Sequence, residues 1–212
     1  MLDIETLGDH GPVIPVIVLQ RPERAVPLAE ALLAGGVKVL EVTLRTPGAL
    51  RGIEAIARAL PQAVVGAGTL RSVADARAAR AAGCAFGVSP GYSREVAAAC
   101  RGAGLPLLPG VSTASEVMAA SADGLSFLKF FPAVPAGGVA MLNALHGPFA
   151  DVLFCPTGGI TAANAASFLA LPNVRMVGGS WLTPADAVER GDWSLITRLA
   201  REATALREHG AQ

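Results

Sequence analysis

The chain has 212 residues, 52% of them hydrophobic and 16% charged, with 17 basic and 17 acidic side chains in balance. That length suits one large domain, and so apolar a composition can fill a sizeable core and is not that of a disordered chain. Zero net charge, with no basic run and no basic patch interleaved with aromatics, excludes a polyanion-binding surface.

Short β-rich runs alternate with Ala- and Leu-rich helical segments along the whole sequence. The first strand is expected over 13–19, with a helix over 23–34. A strand over 38–44 and a helix over 50–60 follow. The third pair is 63–67 and 73–82, the fourth 85–88 and 94–102, the fifth 106–108 and 114–121. The sixth is 127–131 and 139–145, the seventh 152–155 and 162–169. An eighth strand over 174–177 precedes helices over 184–189 and 193–208. The strands are continuous apolar runs, as expected of a parallel sheet covered on both faces. Eight strand–helix units predict an α/β protein, a (β/α)8 TIM barrel forming a single domain over 1–212. An open doubly wound sheet is the alternative.

The three cysteines, Cys84, Cys100 and Cys155, are odd in number and contain no CxxC pair, which suits reduced thiols in the cytoplasm. His10, His146 and His209 show no paired ligand spacing, so neither a metal nor a cofactor is expected. The acidic first ten residues lack a signal pattern, and Gly, Pro or charge interrupts every apolar run before it reaches membrane-spanning length. These features predict a soluble cytoplasmic protein that meets neither nucleic acid nor membrane. The low charge content also suits a surface partly covered by copies of the same chain.

In barrels of this kind the chemistry lies at the C-terminal strand ends. Lys129 is one of only two lysines, the other being Lys38, and it stands among Phe127, Leu128, Phe130, Phe131 and Pro132. An ammonium in such surroundings loses hydration, and its neutral form is a nucleophile for carbonyls, the first requirement of Schiff-base catalysis. The alternative is a strand lysine whose head reaches water at the strand end. Glu41, within an equally apolar strand, is suited either to move protons for a reaction at Lys129 or to complete a structural ion pair. Arg45, at the exit of the same strand, is suited to grip a carboxylate or to lie free in solvent. Gly158–Gly159 and Gly178–Gly179–Ser180 follow the seventh and eighth strands, where such barrels bind phosphate through backbone N–H groups and a helix start. Thr69 and Thr157 can contact a substrate or cap helices, and Phe131 can wall a pocket or belong to the core.

The strings 35–46 (GGVKVLEVTLRT), 65–69 (VGAGT), 89–91 (SPG), 108–113 (LPGVST), 127–133 (FLKFFPA), 154–160 (FCPTGGI) and 178–181 (GGSW) occur in order. Together they resemble the 2-keto-3-deoxy-6-phosphogluconate (KDPG) aldolase family, which also acts on 4-hydroxy-2-oxoglutarate (KHG). The resemblance runs from about Gly11 to Ala203. It implies a metal-independent class I aldolase of the Entner–Doudoroff pathway, yielding pyruvate and glyceraldehyde 3-phosphate, and commonly a homotrimer. By motif, Lys129 would form the imine and Glu41 would act as general acid and base. Arg45 and Thr69 would hold the pyruvate carboxylate, with Pro90 and Phe131 beside the substrate. Thr157 would contact the substrate hydroxyl region, and Gly158, Gly159, Gly179 and Ser180 would hold the phosphate. Val134–Pro135–Ala136 is more apolar than the family pattern suggests. The short segment before Gly11 leads one to expect a reduced closure at the barrel bottom. Two rivals use the same residues: a phosphosugar isomerase with Glu41 as base, and a phosphate-ligand-binding barrel in which Glu41 and Lys129 only pair.

Overall fold

The computed structural model describes residues 2–207. Met1, His209 and the last residue of the helix expected over 193–208 lie outside the described residues. Nine parallel strand segments form two sheets. The six-stranded sheet runs β5-β4-β3-β2-β1-β9, where β1 is Val13–Ile17, β2 Val39–Thr43, β3 Val64–Gly68, β4 Phe86–Val88, β5 Leu107–Leu108 and β9 Val177–Gly179. The three-stranded sheet runs β6-β7-β8, of Gly110–Val111, Phe127–Phe130 and Leu153–Pro156. A single eight-strand ring is therefore not what the ladders describe. The fifth expected strand, 106–108, appears as β5, and beyond Pro109, which has no N–H for a ladder, the chain pairs again as β6 in the other sheet. Between β8 and β9 the pairing is reduced to one isolated bridge, Thr157 to Gly178.

The helices are α1 Ala25–Ala34, α2 Ala49–Ala59, α3 Val73–Ala81, α4 Arg94–Gly102, α5 Ala114–Ala122, α6 Gly138–His146, α7 Ala165–Leu169, α8 Ala185–Arg190 and α9 Trp193–Thr204. Most lie within a residue or two of expectation. The eighth strand is displaced: Val174 makes only a bridge to Phe154, and the ladder with β1 begins at Val177. Residues 22–24 are a 3-10 turn, as Pro22 suits a helical entry, and α1 starts after them. Ala205–Arg207 likewise close α9 as a 3-10 turn.

Because side chains alternate across a strand, each strand supplies two cores. Leu40, Val42, Val65, Leu107 and Phe154 pack toward the helices. Ile14, Val39, Phe86, Val88, Leu108, Phe127 and Cys155 form a second cluster drawn from both sheets. Leu7 completes that cluster and is fully buried. It stands on a 3-10 helix, Ile4–His10, which Asp3 caps through the Glu5 N–H. The segment before Gly11 is thus an ordered plug with an anchoring leucine, contrary to the reduced closure expected from its length.

Candidate active site

Glu41 follows Val39 by two residues in β2, and Lys129 follows Phe127 by two in β7. Both side chains therefore point the same way as the shared inner cluster, one layer nearer the C-terminal strand ends. They meet there: Lys129 Nζ lies 3.1 Å from Glu41 Oε1 and 3.4 Å from Oε2. Glu41 is 1% exposed and Lys129 4%. The third strand makes room for the pair, since a Cβ on Gly68 would overlap the Glu41 carboxylate. Lys129 Nζ also stands 5.5 Å from the Phe131 ring centroid, within range of a cation–π attraction. Cys155 is the register neighbour of Lys129. Burial pushes its thiol up to about 12 against the lowering influence of Lys129, and Glu41 adds to the rise.

Beside the pair opens a cavity of 280 Å3 lined by Arg45, Phe131, Thr157, Gly158, Gly159, Gly178, Gly179 and Ser180, with Val16, Val18 and Ile160. Eight of the residues singled out from sequence share this one wall, which contains neither Lys129 nor Glu41. One more, Thr69, touches a lining residue. Thr69 Oγ1 receives a hydrogen bond from the exposed Arg45 Nε at 3.4 Å. Thr69 also holds φ at 65°, a strained setting for a β-branched residue and one that structures retain mainly at functional positions. Pro90 lies outside the cavity wall, its carbonyl crowding the space a Cβ on Gly110 would need. Lys38 is exposed.

Gly158 and Gly159 have φ of 101° and 80°, in the left-handed region that favours glycine. The Val134 N–H donates to Gly158 O at 3.0 Å, tying this turn to the segment after β7. No helix start adjoins the loops: α7 begins only at Ala165 and α8 at Ala185, and both are short. The helix expected over 162–169 starts late because Thr161 and Asn164 close a hydrogen-bonded turn first. The two turns are therefore made of loop backbone, without the helix terminus expected from sequence.

Val16, Val18 and Ile160 line the cavity without having been singled out, and no polar signal could mark them. Val18 is 41% exposed, one of few large apolar side chains so placed among the described residues, and Val134, against Gly159, is another at 45%. The apolar stretch 134–136 thus stands beside the glycine turn.

The family model for KDPG and KHG aldolase matches residues 4–199. A KHG/KDPG aldolase of Escherichia coli K12 is 52% identical over 199 residues, covering 94% of this chain and 93% of that one. The crystal structure of a KDPG aldolase from Legionella pneumophila, with pyruvate captured at low pH as a covalent carbinolamine intermediate, superposes with a TM-score of 0.94. It has 46% identity and covers 96% of this chain and 98% of that one. A KDPG aldolase of Zymomonas mobilis ZM4, solved with 3-phosphoglycerate, gives a TM-score of 0.93 at 44% identity, with 99% of each chain covered. By its matched length and by these identities, the chain belongs to the KDPG and KHG aldolase family.

Proposed function

We propose that this protein is a class I aldolase that cleaves 2-keto-3-deoxy-6-phosphogluconate to pyruvate and glyceraldehyde 3-phosphate. By the same chemistry it cleaves 4-hydroxy-2-oxoglutarate to pyruvate and glyoxylate. The observation that carries this reading is the buried Lys129–Glu41 contact at 3.1 Å, with Lys129 5.5 Å from Phe131 of a cavity that two glycine turns also line.

In the cycle, Glu41 first takes a proton from Lys129, which its distance allows. The neutral amine attacks the C2 ketone, and Glu41 returns its proton to the carbinolamine hydroxyl, so that loss of water gives a protonated imine, an electron sink for the C3–C4 bond, and leaves Glu41 ionised again. Glu41, directly or through a water, accepts the C4 hydroxyl proton, and the bond breaks to release the aldehyde. The enamine left behind is protonated at C3 by the proton that Glu41 took from the C4 hydroxyl. Water then hydrolyses the imine and frees pyruvate. Arg45, with Thr69, holds the C1 carboxylate through charge-assisted hydrogen bonds. Pro90 and Phe131 flank the keto end, and Thr157 reaches the hydroxyl region. Gly158, Gly159, Gly179 and Ser180 receive the phosphate, because glycine backbone lets N–H groups approach an anion closely. The pyruvate in the Legionella relative and the phosphorylated acid in the Zymomonas relative support the two ends of this assignment.

The two sheets are best understood as one (β/α)8 barrel and a single domain. Their shared inner cluster and the Thr157–Gly178 bridge support that reading. Three free, buried cysteines support a cytoplasmic location, and no described helix is long and apolar enough to cross a membrane. The activity fits the Entner–Doudoroff route. The family resemblance implies a homotrimer, which the low charge content fits; light scattering would then return three times the 21.5 kDa chain mass and not one.

The test is direct. Purified protein given the phosphorylated keto acid and a chelator is expected to release pyruvate and glyceraldehyde 3-phosphate in equal amounts. Absence of cleavage in a folded sample would remove the aldolase reading.

A further inference from the structure

Asn164 stands at the start of α7, where an Asn side chain would ordinarily cap its own helix by accepting a backbone N–H. It makes no such bond. Its side chain turns back: Oδ1 accepts the Thr161 N–H at 2.8 Å, and Nδ2 donates to Gly159 O at 3.0 Å. The first of these bonds is a local turn closure, like half of a capping box. The second does nothing for the helix. It fixes the carbonyl of Gly159, and so the plane of the Gly159–Ile160 peptide on the side of the turn that Ala133 and Val134 leave free.

The other flank of this turn is held independently. Val134 N–H binds Gly158 O at 3.0 Å and Ala133 N–H binds Thr157 O at 2.7 Å. A Cβ on Gly159 would come within 2.7 Å of Val134 Cβ, so the turn lies directly on that segment. Asn164 therefore supplies the side-chain clamp on a glycine turn that could otherwise sample many conformations, since glycine alone restricts φ and ψ very little.

We infer that Asn164 is a positioning residue for phosphate selectivity: it holds the Gly158–Gly159 turn in the shape that presents its N–H groups to the distal phosphate, without touching the reacting atoms. This inference rests on the assignment of that turn to phosphate binding. A preorganised donor set binds an anion with little ordering cost, whereas a loose one must be ordered each time. The effect belongs in KM for phosphorylated substrate and not in kcat.

Asn164→Asp keeps the acceptor for Thr161 and loses the donor to Gly159, and Asn164→Ala loses both without adding charge. Each variant is compared with the unaltered enzyme on KDPG and on the same keto acid lacking the phosphate, with inorganic phosphate as a competitive inhibitor. Both variants are expected to raise KM for KDPG and the inhibition constant for phosphate about tenfold. The kcat and the rate on the phosphate-free acid should stay within about twofold. Unchanged selectivity in both variants would overturn the inference, as would an equal loss on both substrates or an effect confined to the Asp variant, which reports charge repulsion alone. Melting midpoints and borohydride trapping of pyruvate on each variant check that the fold and Lys129 survive. An unaltered enzyme with no preference for the phosphorylated acid would instead remove the cradle assignment itself.

Discussion

An ammonium and a carboxylate taken out of water together lose hydration that their attraction repays only when the contact is close and the pair has a purpose or further bonds. Lys129 and Glu41 are nearly inaccessible and share one contact surface. Glu41→Gln keeps the shape and one acceptor oxygen while removing the proton-accepting carboxylate. Steady-state turnover of KDPG is expected to fall by about 10²–10⁴-fold, the range typical of a lost general base. A fall of less than tenfold would show that Glu41 does not carry the proton. These two residues were legible in the sequence because each is a charge inside an apolar strand, and the structure brings them together across 88 residues of chain. Gly68 was not legible in the same way. Its need for a bare Cα comes from the Glu41 carboxylate on a neighbouring strand, which no local pattern reveals.

Between β6 and α5 the chain carries a complete capping box. Thr113 Oγ1 accepts the Glu116 N–H, and the Glu116 carboxylate accepts from the backbone and hydroxyl groups of Ser112 and Thr113. Burial alone would raise the Glu116 carboxyl, but those hydrogen bonds outweigh it and hold the group below its ordinary value of 4.5. A carboxyl with a lowered folded value stabilises the protein above its unfolded value, and that contribution fades as pH falls through the folded one. The melting midpoint of Glu116→Gln is therefore expected to lie below that of the unaltered protein at pH 7, with the gap narrowing as pH drops below about 4.5. A gap independent of pH would contradict the assignment. Ser72, Ser93 and Thr113 cap the helices that begin at Val73, Arg94 and Ala114, where alternation of strand and helix had placed them. Where a turn closes ahead of the helix, as at Thr161–Asn164, helical periodicity ran too far toward the N-terminus. Strand β9 was misplaced because Val174 and Val177 are equally apolar, and only the pairing with β1 decides between them.

Over the whole molecule, alternation of strand and helix carried the fold class, while the closing of one end lay in a segment too short to show a pattern. Leu7 fills the base of the inner cluster from a 3-10 helix, where a side-chain count gives no sign of it. Leu7→Ala should cost about 2–5 kcal/mol, as for other buried leucines, read as a drop in the chemical denaturation midpoint with little change in KM. A loss under about 0.5 kcal/mol would show that the plug is dispensable. The same layering sets the pair of Glu41 and Lys129 above that core, and in the proposed mechanism the substrate ketone meets the amine there. The measurement that tests this most directly is intact-protein mass and peptide mapping after incubation with pyruvate and borohydride. A pyruvate-derived increment confined to the peptide containing Lys129, and absent in Lys129→Arg, is the predicted result. A folded enzyme that gains no mass, or gains it on the Lys38 peptide, would contradict the account.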